Sequence, residues 1–98
     1  MDIKTLQDYT RQSVAEMKTP FRSATEIMLA ITEELGEVAT EVALIEQVGS
    51  KTEWSKSPNV ENLAEEISHA LNLLLTLANH YDIALNQVYA LKIVDKDV

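Results

Sequence analysis

Apolar residues return every three or four positions along most of the chain, which predicts helices from end to end. The first is expected from about Ile3 to Lys18, carrying Leu6, Val14 and Met17. It ends at Thr19-Pro20, because the residue before a proline avoids the helical region. Ser23 or Thr25 can cap a second helix that reaches about Val48, where Gly49 stops it. The stretch "GSKTEWSKSPN" then reads as the one long loop. A third helix begins at Asn59, a good cap with Glu61 and Glu65 in the first turns, and runs to about Tyr81. Asp82-Ile83 break the pattern before a fourth helix ending in "QVYALKIVDKDV". The expected architecture is an all-α bundle of four helices, one domain over residues 1–98.

The helical faces carry the next step. With Glu34 set at zero, Ile27, Ile31, Leu35, Val38, Val42 and Ile45 fall at about 20–100°, Glu41 at about 340°, Glu37 at about 300° and Glu33 at about 260°. Glu34 borders the apolar face, whereas Glu33 lies nearly opposite its centre. With Glu66 at zero on the third helix, Leu77, Ala70, Leu63, Leu74 and Ile67 occupy about 20–100°, and His69 falls at about 300°. Glu66 therefore corresponds to Glu34 and His69 to Glu37. Two helices packed through these faces would bring both pairs to one cleft edge. Counting Leu73 and Leu75, the third helix is apolar over about 200°, more than one neighbour covers, and this predicts a dimer.

Charge narrows the chemistry. Glu34, Glu37 and Glu41 stand at i, i+3 and i+7, where like charges repel, and the second helix has no lysine or arginine after Arg22. A cation must come from elsewhere, and oxygen clusters of this kind suit Mg²⁺ or Mn²⁺. A plain solvated surface explains Glu33, Glu61 and Glu65 well, and Glu34, Glu37 and Glu41 less well. His69 alone would read as an edge histidine on a carbonyl, and His80 as a surface or capping residue. Trp54 is either a lid over a ligand or a plug closing the core. The net charge of −8 speaks against a nucleic-acid polymer as partner, although a divalent cation could join so acidic a chain to a phosphorylated ligand. The absence of cysteine excludes disulfides and thiolate metal sites. No apolar run has the length of a membrane span and "MDIKTLQDYT" has no signal-peptide pattern, so no membrane partner and a cytoplasmic location are expected.

Glu33-Glu34-x-x-Glu37, a long spacer, then Glu66-x-x-His69 opening an aliphatic helix resembles the MazG-like all-α nucleoside triphosphate pyrophosphohydrolases, over about Ser23 to Ile93. The resemblance implies a helical bundle assembled as a dimer or tetramer, with a nucleotide hydrolysed between its α and β phosphates to the monophosphate and pyrophosphate. Carried over by position, the Mg²⁺ or Mn²⁺ ligands are Glu34, Glu37, Glu66 and His69, and Glu33 or Glu37 orients the attacking water. The family has aspartate where this chain has His69, and imidazole favours Mn²⁺, Co²⁺, Ni²⁺ or Zn²⁺ over Mg²⁺. Lys92 and Lys96 are the candidates near the C-terminus for phosphate contact, and Trp54 is the candidate over the substrate. The alternative is a non-enzymatic helical dimer with a degenerate site, binding metal, nucleotide or a protein.

Overall fold

The computed structural model of the chain describes residues 1–49 and 58–95, and the described residues form helices without strands. Helix α1 spans Ile3–Ala15, α2 Ala24–Glu46, α3 Val60–His80 and α4 Leu85–Tyr89, the last continuing as a π-helical stretch over Ala90–Val94. No described helix is long and apolar enough to cross a membrane.

Local chemistry sets most of these boundaries. Asp2 caps α1 by accepting the Thr5 N–H at 2.8 Å, a bond that holds its carboxyl below the usual carboxylate range. Ser23 caps α2 through the Glu26 N–H, while Glu26 reaches back to the Arg22 N–H at 2.7 Å and to its guanidinium at 2.8 Å. Asn59 caps α3 by accepting from both Glu61 and Asn62. At the other ends the structure departs from the sequence reading. Helix α1 stops at Ala15 rather than Lys18, because Glu16 and Met17 turn their N–H groups onto Ser13 and Val14 and tighten the last turn. Helix α2 is ended by Gln47 rather than Gly49. Gln47 adopts a left-handed conformation with φ 56°, and its side chain donates to the Leu44 carbonyl at 2.6 Å. Asp82, with φ 55°, plays the same part after α3, as the Ile83 N–H closes onto the Ala78 carbonyl at 2.9 Å.

Helices α2 and α3 run antiparallel, since Ile27 meets Thr76 and His80 while Glu34 meets Glu66 and His69. Their shared core holds Ile27, Ile31 and Leu44 against Ala70, Leu75 and Ala78. Helix α1 lies along the other flank of α3 and is tied down by polar groups. Gln7, only 5% exposed, donates through Nε2 to Asn79 Oδ1 at 2.9 Å and to the Ile83 carbonyl at 2.8 Å. Its Oε1 accepts the Leu85 N–H at 3.1 Å, and Asn79 Nδ2 returns a bond to the Gln7 carbonyl at 2.9 Å. One amide thus joins α1 to the α3–α4 corner. Thr10 Oγ1 donates to Asn72 Oδ1 at 3.0 Å, which accounts for the asparagine that interrupts the leucines of α3.

The buried face of α2 is turned toward its carboxylates. The buried residues Ile27, Ile31, Glu41 and Leu44 span about 280° round to 60° on the same wheel. Leu35 and Val42, expected in the core, are exposed, and so are Ile67 and Leu74 of α3. The reason is coverage: α1 and α2 occupy two flanks of α3, and the strip carrying Ile67, Leu71 and Leu74 is only partly covered by the described residues. The chain is open as a result. Its radius of gyration is 16.2 Å, against about 13 Å for a compact domain of this length.

Candidate metal centre

Glu34 projects from the middle of α2, and Glu66 and His69 stand one turn apart near the start of α3. Antiparallel packing brings them together. His69 Nδ1 lies 3.8 Å from Glu34 Oε2 and 3.8 Å from Glu66 Oε2. These are ion-pair separations, too long for hydrogen bonds. One ligand atom from each residue falls within 4.8 Å of the other two. Side chains of Glu34 and Glu66 are 22% and 20% exposed, while His69 is half exposed at the cleft edge.

Two carboxylate oxygens in this group, Glu34 Oε2 and Glu66 Oε2, are buried and find no hydrogen-bond donor among the described residues. Such a group ordinarily costs about 1–3 kcal/mol, more when charged, so the arrangement leaves both oxygens available to a cation. Glu37, one turn beyond Glu34 and exposed, answers to the same field. A hydrogen bond shared with Glu66 and repulsion from Glu66 push its carboxyl above the ordinary value; His69 and a hydrogen bond with Glu34 oppose the rise. Of the four residues expected at the centre, Glu34, Glu66 and His69 form the group, and Glu37 stands outside it but within the influence of Glu66.

The donor set fits a divalent ion. At Mg²⁺–oxygen distances near 2.1 Å, adjacent octahedral ligands stand about 3.0 Å apart and opposite ones about 4.2 Å apart. The two 3.8 Å separations from His69 lie between these limits, while the group as a whole spans up to 4.8 Å, so its ligand atoms would have to draw together around an ion. Two carboxylates with one imidazole suit Mn²⁺, Co²⁺ or Zn²⁺, while Mg²⁺ prefers an all-oxygen set.

Among the described residues, the grouped ligand atoms come from Glu34, Glu66 and His69 and not from the other candidates. Glu33 is exposed, and no described contact joins it to Glu34, Glu66 or His69. Lys92 is exposed in the π-helical stretch, whose α-helical start packs on α1. Trp54 and Lys96 lie outside the described residues. His80 is exposed and sets its ring edge-on to Tyr81, 4.9 Å away, in keeping with a surface role. Glu41, which spacing placed about 20° from Glu34, is buried on the same face at 5% exposure, and its wheel position was the signal for this. Comparison of the chain with protein-family models, with curated proteins and with solved structures gives no match.

Proposed function

We propose that the chain is a divalent-metal-dependent nucleotide pyrophosphohydrolase, converting a nucleoside triphosphate or related nucleotide to its monophosphate and pyrophosphate. The observation that carries this reading is the convergence of Glu34, Glu66 and His69 around buried carboxylate oxygens that lack donors. The resemblance of the paired glutamate motifs supplies the substrate class. Glu34, Glu66 and His69 would hold Mg²⁺ or Mn²⁺, with Glu37 beside them. When bound, the ion supplies positive charge against the phosphates and Lewis acidity at the reacting phosphorus. Glu37 is exposed and its proton affinity is raised, which suits it to accept a proton from water as the water oxygen adds to the α-phosphorus. The α–β bridging oxygen leaves with pyrophosphate. Glu33, on the neighbouring flank, is the second candidate for that proton.

The test is pyrophosphate release from a panel of nucleoside triphosphates with Mg²⁺, Mn²⁺ or Co²⁺. Turnover is expected with at least one pair and is expected to fall by at least about 100-fold in Glu34→Gln and Glu66→Gln, because each removes a ligand charge. Absence of turnover with every pair would overturn the hydrolase and leave the binding module.

The working form we propose is a homodimer or a tetramer. The chain exposes 7271 Å², whereas a compact 11.0 kDa monomer exposes about 5,600 Å². The excess would amount to about 3,300 Å² in a pair, within the obligate-dimer range of roughly 2,000–5,000 Å². Its apolar part includes the strip of Ile67, Leu71 and Leu74 and an apolar groove of about 540 Å³ between α1, α3 and α4 that includes Leu6, Leu77 and Tyr89. Dissociation and unfolding should then be coupled, so the melting temperature rises with protein concentration. A monomeric mass by light scattering at micromolar concentration would contradict this.

A further inference from the structure

Two turns along α2 and α3 from the acidic group lies a small pocket of a different character. It has a volume of about 200 Å³ and lies where the second half of α1, the start of α2 and the end of α3 meet. Phe21, Val14 and Ile27 form its apolar side, and Arg11, Thr76 and His80 its polar side. Drug-sized ligand sites run from about 300 to 1,000 Å³, so this one has room for a single ring system and little more.

Its position is set by the antiparallel helices. Thr76 stands seven residues beyond His69 on α3, and Ile27 seven residues before Glu34 on α2. Each interval is two turns, about 10 Å, which is the reach of a nucleoside from its ring to its α-phosphate. On the wheel of α3, Thr76 and His80 fall at about 280° and 320°, either side of His69 at about 300°. Thr76, His80 and His69 therefore share one side of α3.

The chemistry matches a heteroaromatic ring. Phe21 is half-buried and offers a π-face, and the Arg11 guanidinium can lie over a ring or donate to its carbonyl oxygens. Arg11 is held in place by Asn79 Oδ1 at 3.3 Å and by Asp8 at 3.6 Å. Thr76, 4% exposed, has already given its hydroxyl proton to the Asn72 carbonyl at 2.9 Å, so its oxygen is left to accept from a ring or exocyclic N–H. His80 brings a further donor or acceptor at the rim.

We infer that the pocket formed by Arg11, Val14, Phe21, Ile27, Thr76 and His80 binds the base of a nucleoside whose phosphates extend along the cleft to Glu34, Glu66 and His69. The inference rests on the nucleotide reading proposed above and assigns its specificity-determining residues. Base contacts here are made equally with substrate and with the reacting state, so they govern KM and leave kcat alone.

The experiment has two arms. In the first, deoxyadenosine, deoxyguanosine, deoxycytidine and thymidine are titrated without metal into ¹⁵N-labelled protein, with inorganic pyrophosphate plus Mg²⁺ as the control. At least one nucleoside should shift the Phe21, Thr76 and His80 signals, and the control should shift those near Glu34 and His69 instead. In the second, Phe21→Leu, which keeps apolar bulk but removes the π-face, should raise KM by about 10-fold or more at unchanged kcat. Phe21→Tyr should restore it, and melting curves of both variants establish that they fold. Nucleoside shifts at Thr76 and His80 without any turnover would uphold the pocket and sink the hydrolase. Turnover with an unchanged KM in folded Phe21→Leu, and no nucleoside shift at Thr76, would overturn the pocket alone.

Discussion

Glu66→Gln is expected to weaken Mn²⁺ binding by at least about 100-fold while leaving the metal-free protein more stable at neutral pH than the parent. The two effects share one cause. Glu66 would be a ligand to the ion, and without the ion its hydrogen bond with the Glu37 carboxyl, together with its charge, lifts that carboxyl above its ordinary value. A carboxyl raised in the folded state contributes stability that is fully present below the unfolded-state value and is lost as pH rises through the folded value. The metal-free parent should therefore lose stability between mildly acid and neutral pH, and Glu66→Gln should flatten that loss. Bound metal reverses the sign for the parent, because an ion that binds only the native state stabilises it, and protons compete with the ion for its ligands as pH falls. Calorimetric Mn²⁺ titration, with melting curves against pH in a chelator, reads both effects. Unchanged Mn²⁺ affinity would remove Glu66 from the centre, and a metal-free variant less stable than the parent at neutral pH would mean that the carboxylates are not mutually repelling.

The largest loss of stability is expected from Gln7→Ala, about 3 kcal/mol, enough to lower the melting temperature of a domain this size by more than about 10 °C. The substitution removes both donor bonds and the acceptor bond of the buried amide, and leaves the Ile83 carbonyl and the Leu85 N–H without it. It also opens a void under a residue 5% exposed. Gln7→Glu is the sharper control, since it keeps the shape but turns a donor toward two acceptors, Asn79 Oδ1 and the Ile83 carbonyl, into another acceptor. Denaturant unfolding with the slope compared between variants measures the change; a loss below about 1 kcal/mol for Gln7→Ala would mean that water replaces the amide without difficulty.

What the sequence made legible follows the range of the physics involved. Ser23 and Asn59 could be recognised as caps because capping is settled within three residues, and the Glu34/Glu66 correspondence followed from helical period alone. Gln47 and Asp82 were not legible as helix stops, since a non-glycine residue enters the left-handed region only where bonds such as that to Leu44 offset its strain. Gln7 and Thr10 look like surface residues in the chain. Their partners, Asn79 and Asn72, lie 72 and 62 positions away, and no local pattern announces such a pairing. The turn of α2 toward its acids escaped for a related reason. Hydrophobicity locates the centre of an apolar sector, but which part of it is covered depends on where α1 and α2 sit around α3.

The clamp at Gln7 also orders events in time. Helices α2 and α3 can find each other across the single connection between them, and their contact needs nothing from the first residues of the chain. Gln7 has no such freedom: its partners at Asn79, Ile83 and Leu85 exist as a corner only once α3 has ended and turned at Asp82. The loop closed by that contact is the longest in the molecule's polar network, and its entropy is recovered last. Helix α1 is then expected to dock last on the paired α2 and α3 and to lift away first, carrying Arg11 and Val14 with it and leaving the carboxylates of α2 and α3 still facing each other; native-state hydrogen exchange would show this as α1 amides opening below the global free energy.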